Sequence, residues 1–247
     1  MADDFTQRTE ALRGSLPRGL PAMSQRWDNL LFLHWQADPE ELRRRLPAGL
    51  TLDTFGGAAH VGLVAFRMRN VRPWLLPPLP WLSNFLELNV RLYVRGPDGT
   101  PGVFFLSLDC ERDLAVRIAR AGFHLPYEHA TMRCRAAGGA FRYTCRRGGQ
   151  PGITELTWKP HGEIRPAADG SLEHFLAERY AFFTAHSQTG RILRGDVRHA
   201  PYPLQAASLG AWDSLPLAWD GIKVAGAPVH AMASPGVPVR CWSVREA

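Results

Sequence analysis

A chain of 247 residues with 45% hydrophobic and 21% charged side chains has the make-up of a globular protein with a sizeable core, which excludes wholesale disorder. Its formal charge of +6 invites an anionic partner, but the positive charge is scattered arginine, with Lys159 and Lys223 the only lysines, a compositional bias and not a nucleic-acid footprint. No apolar run approaches the roughly 18 residues of a membrane span, and four cysteines without C-x-x-C spacing make neither a disulfide scaffold nor a zinc ribbon. A cytoplasmic protein with reduced thiols and no membrane or nucleic-acid partner is expected.

Residues 1 to 24, rich in Arg, Pro and Gly, read as a loose leader without signal-peptide character. Residues 25 to 247 read as one domain. WDNLLFLHW is a nearly continuous apolar run, as in a buried strand. A short helix follows, with Asp38 as cap, Pro39 at its first position and Glu41 completing a capping box. HVGLVAFRMRNV is a second buried strand, and the proline-rich PWLLPPLPWL loop separates it from LELNVRLYV. That segment alternates strictly: Leu86, Leu88, Val90, Leu92 and Val94 share one face, and Glu87, Asn89, Arg91, Tyr93 and Arg95 the other. RGPDGTPG is a hairpin turn and GVFFLSLD the returning strand.

Asp109 or a close neighbour is placed to cap a helix that runs through residue 121 and stops at Gly122. Strands are expected near 129 to 136, 140 to 147 and 153 to 159. SLEHFLAERY, capped by Ser171, is the third helix. Strands near 181 to 186, 190 to 199, 203 to 210, 228 to 233 and 238 to 245 complete the chain. Many short strands, about three short helices and no repeat predict an α+β protein, mostly antiparallel, built as a barrel or sandwich.

Several clusters invite a functional reading and resist it. In AGFHLPYEHA, the H-x-x-x-E-H spacing misses the zinc patterns, and Pro126 breaks the helix they need. No metal site is expected there. The arginines 133, 135, 142, 146 and 147 sit around a hairpin turn and read as a solvated face. His174 and Glu178 are one helical turn apart and fit a surface pair, while Glu178 with Arg179 instead fits an architectural anchor for this helix. The loop with Trp74 and Trp81 is too apolar to be simply exposed; a subunit contact, as in a homo-oligomer, or a cover over the core accounts for it. No nucleophile elbow, phosphate-binding loop or dinucleotide fingerprint occurs. The face carrying Glu87, Asn89 and Arg91 is solvent-facing in an open sandwich and lumen-facing in a barrel.

LLFLHWQADPEELRRRLPAGL with DTFGGAAHVGLVAFRM, FLELNVRLYVRGPDGTPGVFFLSLD, GSLEHFLAERY and RGDVRHAPYPLQ together resemble the YqjF-like family, a functionally uncharacterised branch of the acetoacetate decarboxylase-like superfamily. The resemblance implies a cone-like β-barrel with an internal small-molecule pocket. The decarboxylases work through a lysine Schiff base, and the matching positions here are Phe123 and His124. The expectation is therefore a protein that binds a small carbonyl- or carboxylate-bearing molecule without a Schiff base and without a cofactor. If it is an enzyme, lyase-like or hydrolase-like, Glu87 and His124 are the proton-transfer candidates, with Arg67, Asn89, Arg91 and Phe123 binding the ligand. A ligand-binding or stress-associated protein without catalysis is the alternative.

Overall fold

The computed structural model describes residues 2–79, 83–112, 122–186 and 188–247. The helix expected between Asp109 and Gly122 lies for the most part outside the described residues, as does Trp81 of the proline-rich loop. Among the described residues there are four helices and thirteen strands. In place of a loose leader, Ala2–Gly14 forms helix α1. It docks because Phe5 enters the core and its ring packs 5.2 Å from that of Phe175. Local composition hid this, since α1 offers few apolar side chains and owes its helix to tertiary contacts.

Strand β1 (Met23–Ala37) leads into α2 (Pro39–Arg43), where the Asp38 carboxylate accepts the Glu40 amide at 3.0 Å. Then come β2 (Thr51–Leu52), β3 (Ala59–Pro73), β4 (Phe85–Arg95), β5 (Pro101–Cys110), β6 (Tyr127–Ala137), β7 (Ala140–Arg147) and β8 (Thr154–Arg165). Helix α3 (Leu172–Ala177) is capped by Ser171, whose hydroxyl accepts the His174 amide at 3.1 Å. The chain ends in β9 (Ala181–Ala185), β10 (Ile192–Arg198), β11 (Leu204–Leu209), α4 (Leu215–Trp219), β12 (His230–Cys241) and β13 (Arg245–Glu246). The two strands expected at 228 to 233 and 238 to 245 are one long strand, β12, which continues past Pro235, Gly236 and Pro238 because it pairs with β1 throughout. Helix α4 has no counterpart in the expected elements.

All pairings are antiparallel except β5 with β6 and β5 with β9. The hydrogen-bonded order β5, β9, β10, β12, β1, β3, β4 returns to β5, so the ladder closes on itself. A second path from β5 to β12 runs through β6, β7, β8 and β11. Strand β4 and the central parts of β1 and β3 are therefore covered on both faces, and two apolar clusters form. One holds Leu31, Leu33, Leu88 and Leu92 with Tyr143 and Trp158. The other holds Phe32, Phe66 and Tyr93 with Phe175, Phe182 and Val197. Alternation along β1 and β4 assigns odd and even residues to different clusters.

Buried ionic clusters tie the connections down. Arg147, expected on a solvated hairpin face, is buried: its guanidinium donates to Asp109 at 2.7 Å, to Asp220 at 2.6 Å and to the Ser107 hydroxyl at 2.6 Å. Asp109 is therefore held in β5 by this network. His174 is likewise buried and packs edge-on against Phe5. Glu178 is buried too, accepting the Tyr180 hydroxyl at 2.5 Å and the Tyr202 amide at 2.9 Å, so the two form no surface pair.

Gly195 on β10 faces Phe182 on β9, and a Cβ there would stand 2.1 Å from the ring. Gly195→Ala is expected to cost about 1–3 kcal/mol by overpacking. Urea unfolding checks it, and a midpoint equal to that of the wild type would contradict this packing.

Candidate ligand-binding site

Within the second cluster lies a cavity of about 120 Å³. Its wall combines apolar side chains, among them Met68, Phe105, Phe123 and Phe182, with Glu87, Arg91, Tyr127 and Arg179. The polar face of β4 is thus an interior face. Burial of both faces of β4 from Phe85 to Val94 removes the solvent-facing alternative for Glu87, Asn89 and Arg91.

Glu87 stands at one end. It is 2% exposed, accepts the Tyr127 hydroxyl at 2.8 Å and is hydrogen-bonded by Asn89. Burial pushes its carboxyl up to about 7, against the lowering effect of Tyr127 and Asn89. A carboxyl poised there can give and take a proton near neutral pH. Burial also drives the Tyr127 hydroxyl well above its ordinary range, reinforced by Glu87, so the tyrosine stays a donor. Cys241 lines the same space, and burial pushes its thiol up to about 12, which denies it a nucleophilic role.

Arg91 lies four residues along β4, roughly 13 Å at the usual strand rise. Its Nη2 donates to the Leu176 carbonyl at 2.8 Å and its Nε to the Tyr93 hydroxyl at 3.2 Å. Among the described residues no carboxylate pairs with this buried guanidinium. Arg179 is paired with Asp53 at 2.9 Å, and its guanidinium lies 4.4 Å from the Phe5 ring centroid and 4.2 Å from that of Phe175. Its Nη2 is buried without a hydrogen-bond partner. The cavity is therefore bipolar, with arginine donors at one end and, at the other, a carboxyl poised between its charged and neutral forms beside a phenol.

Of the six expected site residues, Glu87, Arg91 and Phe123 line the cavity. Asn89 is buried behind Glu87 and touches it. Arg67 does not join them. It lies between Phe66 and Met68, both in the cavity cluster, so alternation turns it to the opposite face, where it reaches Cys134. His124 does not reach Glu87 either. A backbone φ of 52° turns it out of line with Phe123, its carbonyl accepts the Thr184 hydroxyl at 2.5 Å, and its ring lies 4.6 Å from that of His186. Tyr127 and Arg179 also line the cavity and are absent from the expected set. Tyr127 arrives through the parallel pairing of β6 with β5, where it sits opposite Leu108, and a pairing between separated segments leaves no periodic signal. Arg179 was marked only as a helix anchor, which its bonds to Asp53 and the Phe175 carbonyl support.

A largely antiparallel α+β sheet of this order is the fold of acetoacetate decarboxylase-like proteins. The acetoacetate decarboxylase of Legionella pneumophila superposes with a TM-score of 0.65 at 13% identity, over 94% of this chain and 91% of that one. The enduracididine biosynthesis enzyme MppR, in its complex with pyruvate, superposes with a TM-score of 0.58 at 14% identity, over 94% and 91%. These likenesses establish the fold. Residues 24–238 match the family DUF2071, described as uncharacterized conserved protein, and the chain belongs to that family. It is 36% identical over 204 residues to the uncharacterized protein YqjF of Bacillus subtilis strain 168, covering 82% of this chain and 83% of that one. Among the described residues no helix is long and apolar enough to cross a membrane.

Proposed function

We propose that this protein binds a small organic molecule bearing a carboxylate and a carbonyl in the cavity between β4, β5 and α3, and does so without a Schiff base. The observation that carries the reading is Arg91. A buried guanidinium is costly unless an anion accompanies it, and the described residues supply none. A ligand carboxylate at Arg91, reached also by the free Nη2 of Arg179, meets that need. Further along the wall the Glu87 carboxyl, in its protonated form, can donate a hydrogen bond to a carbonyl oxygen of an acid long enough to reach it from Arg91, as it would to a developing oxyanion. If the protein is a catalyst, Glu87 is the proton carrier and the reaction moves a proton on or beside that carbonyl. Pyruvate in the MppR complex is a molecule of this kind bound by a protein of the same fold. Lys159 and Lys223 are both exposed and neither lines the cavity, which supports a route without an iminium. Four free thiols fit a reducing cytoplasm.

Calorimetric titration with pyruvate and acetoacetate tests the reading. Arg91→Met is expected to weaken binding about a hundredfold, the loss typical of removing one partner of a buried charge pair. Equal affinity in wild type and variant would sink it. Borohydride treatment with the same acids is expected to add no mass to the intact protein. An adduct lost in Lys159→Arg, Lys223→Arg would restore Schiff-base chemistry. Glu87→Gln separates catalysis from binding: loss of turnover with binding retained marks an enzyme, and an effect on binding alone marks a binding protein.

A further inference from the structure

Arg91 is held by an unusual set of neighbours. Proteins ordinarily fix a buried guanidinium with a carboxylate, which also cancels its charge. Here the Nε partner is the Tyr93 hydroxyl, and behind it a buried file of neutral groups leads away from the cavity. The Tyr93 oxygen lies 2.5 Å from His34 Nε2, and His34 Nδ1 lies 2.8 Å from His230 Nδ1. Tyr93 and His34 are fully buried and His230 nearly so.

The direction of every bond in the file follows from its first member. A guanidinium only donates, so Tyr93 accepts from Arg91 and its own proton must go elsewhere. His34 Nε2 is the acceptor in reach. The His34 proton then sits on Nδ1 and is donated to His230 Nδ1, which leaves the His230 proton on Nε2. The opposite tautomers would leave the Tyr93 hydroxyl proton buried with no acceptor. His230 Nε2 has no hydrogen-bond partner among the described residues, and the negative charge of Glu173 acts on His230, which favours a proton at that end. Burial holds His34 well below the ordinary histidine range and pushes His230 down to about 4, so both rings are neutral at pH 7.

Room for the file is made by one residue. Gly62 on β3 pairs with His34 on one side and Arg91 on the other. A Cβ at Gly62 would stand 2.8 Å from the Tyr93 oxygen and 3.1 Å from the His34 ring. Its φ is not in the left-handed region, so close approach and not backbone conformation calls for glycine here.

We infer that Tyr93, His34 and His230 are positioning residues for Arg91: a one-way chain of neutral hydrogen bonds holds the guanidinium in the cavity wall without cancelling its charge, leaving it free to bind an anion. Donation by Tyr93 to His34 polarises the phenol oxygen and strengthens its acceptance from Arg91. The inference rests on the reading of Arg91 as the partner of a ligand carboxylate.

Nitrogen-15 spectra of the full chain at pH 7 test it. The expected result is a single tautomer at each ring, Nδ1–H for His34 and Nε2–H for His230; the reverse tautomers, or mixtures, would overturn the chain. Tyr93→Phe and Gly62→Ala are expected to speed hydrogen exchange at Arg91 Nε at least about tenfold and to weaken pyruvate binding about tenfold, the worth of one hydrogen bond to a charged group. Unchanged exchange and unchanged affinity in both variants would overturn the positioning role. If the wild type shows the expected tautomers and exchange but binds neither pyruvate nor acetoacetate, the ligand reading fails while the hydrogen-bonded chain stands. Its role in anion binding then falls with that reading.

Discussion

Glu87→Gln is expected to leave stability near pH 4.5 unchanged and to raise it above pH 7. The folded carboxyl titrates at about 7 and its ordinary value is 4.5. Between those values the unfolded chain loses its proton while the folded one keeps it, so the folded state binds more protons and stability falls as pH rises. The contribution is complete below about 4.5 and lost by the time pH has risen through 7. The size of the shift makes the loss on the order of 3 kcal/mol. Glutamine keeps the size of the group and an acceptor for the Tyr127 hydroxyl but does not titrate. Urea unfolding of both proteins from pH 4 to pH 8 would show their free energies diverging across this window, with the variant the more stable at pH 8. Parallel curves would mean that Glu87 titrates as an ordinary carboxylate and is not poised for proton transfer.

Arg147→Met is expected to destabilise the fold by about 3–5 kcal/mol. The arginine is 5% exposed and bridges Asp109, which is fully buried, and Asp220. Removing it strands the buried Asp109 carboxylate beside that of the half-buried Asp220. For a chain of this size the melting temperature should drop by roughly 10 °C. The double variant Arg147→Met, Asp109→Leu should recover much of the loss, because an apolar replacement of a buried pair is often neutral. Scanning calorimetry decides between this and a shift of a degree or two, which would show that water reaches the cluster and solvates the aspartates.

Much of the scaffold was legible in the sequence because its signals are local. Asp38 and Ser171 cap the helices they precede, and the alternation in LELNVRLYV correctly divides β4 between the two apolar clusters. The proline and glycine residues at 235, 236 and 238 read as a break between strands, yet β12 runs through them. There β1 supplies a partner along the whole length, and a local signal for breaking was overridden by pairing.

By itself the sequence determined which residues share a face of β4 and where the short capped helices begin. Only the tertiary structure decided that the polar face of β4 is interior. A period of two says which side chains travel together but not whether water or another strand lies opposite. It also brought Tyr127 to Glu87, placed Arg179 beside Arg91, and turned Arg67 and His124 away. Those outcomes depend on strands and helices far apart in the chain meeting around one cavity.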